Sequence, residues 1–188
     1  MRKIILSMMT TLDGYFEGPN QSIDWHHVDA DFFATANELM DGADTYLFGR
    51  VTYQGMESYW TTEQAMKDDP VITRKMNETP KLVFSKTLEK AEWNNTRLIR
   101  DNVADEIRNL KALPGKDMVI FGSSNLAASF LDMGLLDEVR MYLNPVALGG
   151  GTPLFKGLKK KIEFKLNSTR VFGNGNVLLS YQPLYPAA

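Results

Sequence analysis

The chain of 188 residues contains no cysteine, which excludes a disulfide framework, a thiolate metal site and a cysteine nucleophile. Histidine is nearly as scarce. The two present, His26 and His27, are adjacent, so an all-histidine metal site within one chain is not expected and no metal is assigned. An excess of charge of one sign is lacking too. The 21 basic and 23 acidic residues leave a net charge of -2, so no global field recruits nucleic acid or an anionic membrane. No apolar run approaches the roughly 18 residues that suggest a membrane span. The opening MRKIILSMM is apolar, but Thr10, Thr11 and Asp13 interrupt it and no small-residue cleavage site follows. It reads as a first β-strand and not as a signal peptide, and a cytoplasmic location is expected. Repeats, low-complexity segments and linkers are absent as well. Residues 1–188 read as one domain, large enough to bury a core without staples.

What is present is a recurring local pattern. Apolar, β-branched or aromatic runs break at small or cationic residues in LFGRVTY (47–53), LVFSKTL (82–88) and VIFGSSNLAASFL (119–131), after an opening ILSMMTTLDGYFEGP (5–19). Patterning predicts strands over 3–9, 45–48, 81–84, 97–99, 118–121 and 138–146. Helices are predicted over 29–40 with Asp29 as N-cap, over 51–59, from Asp101 or Asn102 to Leu110, and from Ser123 or Ser124 to near Gly134. Two alternating runs, 162–172 and 176–182, are joined by Gly173-Asn174-Gly175, a hairpin signal. The expectation is an α/β fold with a terminal antiparallel hairpin and anion-binding turns at the carboxyl ends of its strands.

Four motifs carry candidate chemistry. In GRVTY, Gly49 lets backbone approach a ligand, Arg50 places a guanidinium at a helix N-terminus, and Thr52 adds a hydroxyl. The set suits a pyrophosphate or the 2′-phosphate of NADP, or else forms an ordinary strand-to-helix turn. In FSKT, Ser85 and Lys86 follow a strand on the same edge, with a capping serine beside a solvated lysine as the alternative. In FGSSN, Gly122, Ser123 and Ser124 supply successive N–H groups at a helix start, a fit for a diphosphate. LGGGTPLF permits close backbone packing, with or without a ligand. The lysines of GLKKK read as a solvated turn.

Acid–base candidates are Asp13, Asp24, Asp29 and Asp31. Asp31 lies beside Phe32 and Phe33, an apolar wall able to raise a carboxyl pKa, or is a solvated first-turn acid. Trp25, Phe32, Tyr53 and Met56 are candidate pocket liners.

TLDGYFEGP, IDW, LFGRVTY, LVFSKTL, the 119–155 stretch and the final hairpin occur in a familiar order. The chain resembles the dihydrofolate reductase-like superfamily. Within it, the chain is most similar to the C-terminal reductase domain of the riboflavin-biosynthesis deaminase-reductase and its stand-alone bacterial relatives. The resemblance implies an NADPH-dependent reductase with a central, mainly parallel eight-stranded sheet. By matching positions it implies that Gly49, Arg50 and Thr52 hold cofactor phosphates and that Ser85 and Lys86 lie near the 2′-phosphate. Gly122, Ser123, Ser124, Asn125 and Leu126 would wrap the pyrophosphate and nicotinamide ribose, and the loop around Asp13 and Gly14 would flank the nicotinamide. Substrates in the two branches are a ribosylamino-pyrimidine and a pterin. The chain departs from the dihydrofolate reductase pattern at Gly122-Ser123, where that branch has consecutive glycines joined by a cis peptide, and at Asn125, where a cation is common. These residues contain no counterpart of the fused deaminase and its zinc ligands, so reduction of another heterocycle or a carbonyl compound is expected. Asp13, Asp31 or a bound water supplies the proton. A homodimer paired through the 139–146 strand and the hairpin is expected. The competing function is a non-catalytic NADP(H)-binding or sensing module.

Overall fold

A computed structural model describes residues 1–186. Strand β1 (Ile4–Thr11), apolar at five of its eight positions, is buried on both faces, as a strand in the middle of a parallel sheet must be. It is followed by β2 (Tyr15–Glu17), α1 (Ala30–Asp41), β3 (Ala43–Gly49), α2 (Arg50–Trp60), α3 (Glu63–Asp68) and α4 (Pro70–Glu78). Then come β4 (Lys81–Phe84), β5 (Thr96–Ile99), α5 (Val103–Ala112), β6 (Asp117–Phe121), α6 (Ser124–Asp132) and β7 (Glu138–Asn144). β8 (Thr152–Pro153), β9 (Glu163–Val171) and β10 (Val177–Leu184) complete the chain. Eight strands form one sheet in the order β5-β4-β3-β6-β1-β7-β10-β9. All pairs from β5 to β7 are parallel, and β10 runs antiparallel to both β7 and β9. The expected mainly parallel sheet with an antiparallel terminal hairpin is the fold observed.

Side-chain alternation divides the core between the two faces. Ile4, Leu6, Met8 and Leu47 meet Leu126, Ala127, Phe130 and Leu131 of α6 on one face. Ile5, Tyr46, Phe48 and Val83 meet Tyr53 and Met56 of α2 on the other. β3 and β6 are neighbours, yet the chain leaves β3 toward β4 and leaves β6 toward β7, in opposite directions along the sheet. That reversal is a topological switch point, where open α/β sheets leave a crevice outside the strand ends.

Several elements do not follow from apolar periodicity. α3 and α4 occupy a stretch to which the sequence pattern assigned nothing. Thr62 Oγ1 accepts from Ala65 N at 3.1 Å, and Asp69 Oδ1 accepts from Val71 N and Ile72 N at 3.0 and 2.9 Å. Caps, not a long apolar face, start these two helices. β2 and β8 pair within segments expected to be loops. Asp29 caps α1 as expected, accepting from Phe32 N at 2.8 Å. In contrast, neither Asn102 nor Ser123 makes a side-chain cap at its helix.

Candidate functional site

β3 ends at Gly49 and β6 at Phe121, so the turns before α2 and α6 stand side by side at the switch point. The contact between them is too close for extra atoms. A Cβ at Gly49 would meet Ser123 Oγ at 3.1 Å, and one at Gly122 would meet Thr52 Cγ2 at 3.0 Å. Gly122 and Ser123 both have φ of 63°, a conformation that costs glycine little and serine more. The Gly122-Ser123 peptide is trans, as are all those described. Ser123 Oγ accepts the Gly49 N–H at 2.8 Å and donates to Thr52 Oγ1 at 2.8 Å. The serine expected to cap α6 therefore ties the two turns together.

A cleft of about 800 Å³ opens above these turns. Gly49, Arg50 and Thr52 line it from β3 and α2, and Ser123, Ser124, Asn125 and Leu126 from the α6 turn. Ser85 and Lys86, beyond β4, line it at one end. Of the residues read from sequence as cofactor-binding, only Gly122 is not on the wall; it lies behind, against Thr52. Two helix N-termini converge here with unpaired N–H groups and positive dipole ends. Arg50 is exposed and donates to Gln54 Oε1 at 3.1 Å. Lys86 faces Asp101 at 3.7 Å with both side chains in solvent, so its charge is largely available. Ser85 Oγ accepts from Thr87 N and Leu88 N at 3.1 and 2.9 Å and closes its own turn.

Other lining residues escaped the sequence reading. Arg100 follows β5 as Lys86 follows β4, and donates to Glu89 O at 2.8 Å; the same strand-end rule would have found it. Phe16 and Glu17 from β2 form a wall, with Thr152 of β8 beside them. Lys156 and Lys159, read as part of a solvated turn, also border the cleft.

The remaining candidates go elsewhere. Asp13 is not on the cleft wall. Its carboxylate accepts from Thr11 Oγ1 at 2.6 Å, Gly149 N at 2.7 Å and Leu148 N at 3.0 Å. The Thr11 and Gly149 bonds hold it below the usual carboxylate range. It clamps the glycine loop beneath β2, where a Cβ at Gly151 would come within 2.2 Å of Glu17 O. The LGGG motif is thus a packing device at its third glycine. Asp31 is exposed in the first turn of α1 and outside the cleft. Trp25 and Phe32 pack with Met9, Tyr142 and Phe172; Trp25 Nε1 donates to Ser22 O at 3.2 Å. Tyr53 and Met56 pack around Phe48 and Trp93, with Tyr53 Oη accepting from Trp93 N at 2.8 Å. Expected as pocket liners, Trp25, Phe32 and Met56 pack against the core and do not line this cleft, whereas Tyr53 lines a second cavity of about 740 Å³ with Arg50, Gln54 and Glu57. Among the described residues no group of three or more His, Asp or Glu could hold a metal. No helix among them is long and apolar enough to cross a membrane.

The profile of the RibD C-terminal domain family matches residues 2–178. The chain belongs to the RibD C-terminal domain family. This RibD C-terminal domain is 35% identical over 180 residues to YyaP, an uncharacterized protein of Bacillus subtilis, covering 96% of this chain and 94% of YyaP. Among solved structures, a Shewanella sp. PV-4 protein provisionally assigned to riboflavin biosynthesis is 25% identical. It superimposes with a TM-score of 0.75 over 98% of this domain and 100% of that chain. Dihydrofolate reductase of Enterococcus faecalis, solved with NADP(H), is 13% identical and shares the fold with a TM-score of 0.62, covering 96% of each chain. The RibD C-terminal domain seen here therefore has a reductase-type fold.

Proposed function

We propose that this chain is an NADPH-dependent reductase acting on a small pterin- or pyrimidine-like heterocycle or on a carbonyl compound. The observation that carries the reading is the convergence of the α2 and α6 N-termini, with Arg50 and Lys86, in one cleft at the switch point. The residues fit the cofactor: backbone N–H groups suit a diphosphate, and Arg50, Lys86 and Arg100 offer charge to a further phosphate. The Enterococcus reductase with NADP(H) bound lends support through the shared fold.

In this reading Gly49, Arg50 and Thr52 hold phosphates from one side, and Ser124, Asn125 and Leu126 hold the pyrophosphate and ribose from the other. Ser85 and Lys86 flank the 2′-phosphate. NADPH, when bound, supplies the hydride. Phe16 and Glu17 wall the cleft on the side of β2. Neither Asp13 nor Asp31 lines the cleft. The role we assign Asp13 is to hold the glycine loop, and water in the open cleft is the proposed proton source.

The test is a calorimetric titration with NADPH and NADH in wild type and Arg50→Ala. Micromolar NADPH binding is expected, with NADH weaker about tenfold or more and loss of NADPH affinity in Arg50→Ala, since one charge-assisted contact contributes about 1.5–3 kcal/mol. If wild type binds neither nucleotide, the reductase reading falls. A second reading, an NADP(H) sensor without turnover, is favoured by the commitment of Asp13 to three protein donors. Substrate-dependent loss of nicotinamide absorbance across pterins, pyrimidines and simple carbonyls excludes it. We also propose a homodimer, paired through β7 and the β9–β10 hairpin.

A further inference from the structure

The hydroxyl of Ser123 is used twice within the protein. Its oxygen accepts the Gly49 N–H, and its hydrogen goes to Thr52 Oγ1. The order of the first link is forced, because a backbone amide can only donate. A serine hydroxyl has one hydrogen, so once it is given to Thr52 none remains for a ligand. Thr52 Oγ1 has accepted and keeps its own hydrogen; both residues line the cleft, but Ser123 is 8% exposed and its one hydrogen is already given to Thr52. The chain runs from amide to serine to threonine and ends in a donor at the cleft wall. Each bond in such a chain polarises the next.

The backbone sharpens the point. At φ of 63° a glycine would be the easier residue at 123, so the hydroxyl must offset the difference. Gly122 fixes the spacing: Thr52 Cγ2 lies 3.0 Å from where its Cβ would be, which holds the threonine methyl against the turn and its oxygen toward Ser123.

We propose that Ser123 is a positioning residue that fixes the Thr52 hydroxyl as a donor, so that this point of the cleft admits only an acceptor oxygen such as that of a diphosphate. The proposal rests on the NADPH reading above.

The experiment is a titration of Ser123→Ala, Ser123→Gly, Thr52→Val and Thr52→Ser with two probes. NADPH carries a diphosphate; adenosine 2′-monophosphate carries the 2′-phosphate and no part of the diphosphate. Both Ser123 variants weaken NADPH about tenfold and leave the 2′-monophosphate within twofold of wild type (on the order of experimental scatter). Thr52→Val loses as much, Thr52→Ser rescues it, and adding Ser123→Ala to Thr52→Val costs nothing further. Equal weakening of both probes, or full NADPH affinity in Ser123→Gly, overturns the proposal. Amide exchange at Gly49 in the free protein gives a readout independent of any nucleotide: protection falls in both Ser123 variants, and unchanged protection overturns the relay. A wild type that binds no NADPH but shows the Gly49 effect sinks the reductase reading and leaves the relay.

Discussion

His26 stands edge-on to Trp25, with ring centroids 4.5 Å apart, and its buried Nε2 has no hydrogen-bond partner among the described residues. Burial pulls the imidazole down to about 4, against an unfolded value near 6.5. Between those values the unfolded chain binds the extra proton and the folded one resists it, so stability falls as pH drops from 6.5 toward 4. Chemical denaturation of wild type and His26→Gln across that window checks it: the glutamine variant loses less stability on acidification. Equal pH slopes in the two proteins refute the assignment. The neighbouring residues show what a lone sequence conceals at this scale. Trp25, Phe32, Tyr53 and Met56 have the side chains of pocket liners and of core alike, and only the face each takes on its element separates the two. Asp13 shows the same ambiguity: a carboxylate after a strand is legible, but not the two loop amides, 135 and 136 positions away, that it accepts from.

At the scale of elements, the end of α4 is held by a residue of the next strand. Lys81, 1% exposed at the start of β4, donates from Nζ to the carbonyls of Met76, Asn77 and Thr79 at 2.9, 3.1 and 2.8 Å. The ammonium also lies 4.6 Å from the Trp93 ring centroid. Cations favour helix C-termini, and here one satisfies two of the orphan carbonyls and that of the C-cap. Lys81→Met leaves these acceptors buried and is expected to cost about 2 kcal/mol or more, a fall of about 4–8 °C in Tm; a loss under one degree would show that water replaces the ammonium. Burial pulls the Lys81 pKa down to about 8. The unfolded chain therefore holds more protons between 8 and 10.5, and stability rises with pH across that range. Above it the trend reverses, because burial raises the phenols of Tyr46, Tyr53 and Tyr142, and the unfolded chain ionises first. Elements of this kind divide sharply in legibility. Strands at 81–84 and 118–121, the Asp29 cap and the Gly-Asn-Gly hairpin follow from period and turn chemistry. α3 and α4 carry no long apolar period, and β2 and β8 exist only because distant loops meet.

For the whole molecule, the C-terminal half of the sheet has a bare face. Met141 and Leu143 of β7 lie in register with Leu179 and Val177 of β10, and all four stay partly exposed although both strands are interior. Thr169 and Val171 of β9 continue the rows, in solvent. No charged residue interrupts this patch, so two copies related by a twofold axis could meet without repulsion. Sedimentation of wild type at micromolar concentration is expected to show a dimer, and Leu179→Lys a folded monomer. A monomeric wild type ends the proposal. The strand-end turns that border the cleft, by contrast, are legible, because they need only apolar runs that break at small or cationic residues; the strand order that makes a switch point of them is not.

The same strand order has a consequence for how the chain is made. β1 emerges first, yet its two neighbours are β6 and β7, which begin at Asp117 and Glu138. Ile5 must wait for both Val119 and Glu138 before its pairing is complete. During synthesis at about 5–20 residues per second, this buried strand waits roughly 7–30 seconds for its pairing to be complete while the β3–β4–β5 layer can already assemble beside it. A nascent chain stalled before β6 would thus carry an exposed hydrophobic strand and half a cleft. Chaperone capture should peak in that interval and cease once β7 has left the ribosome.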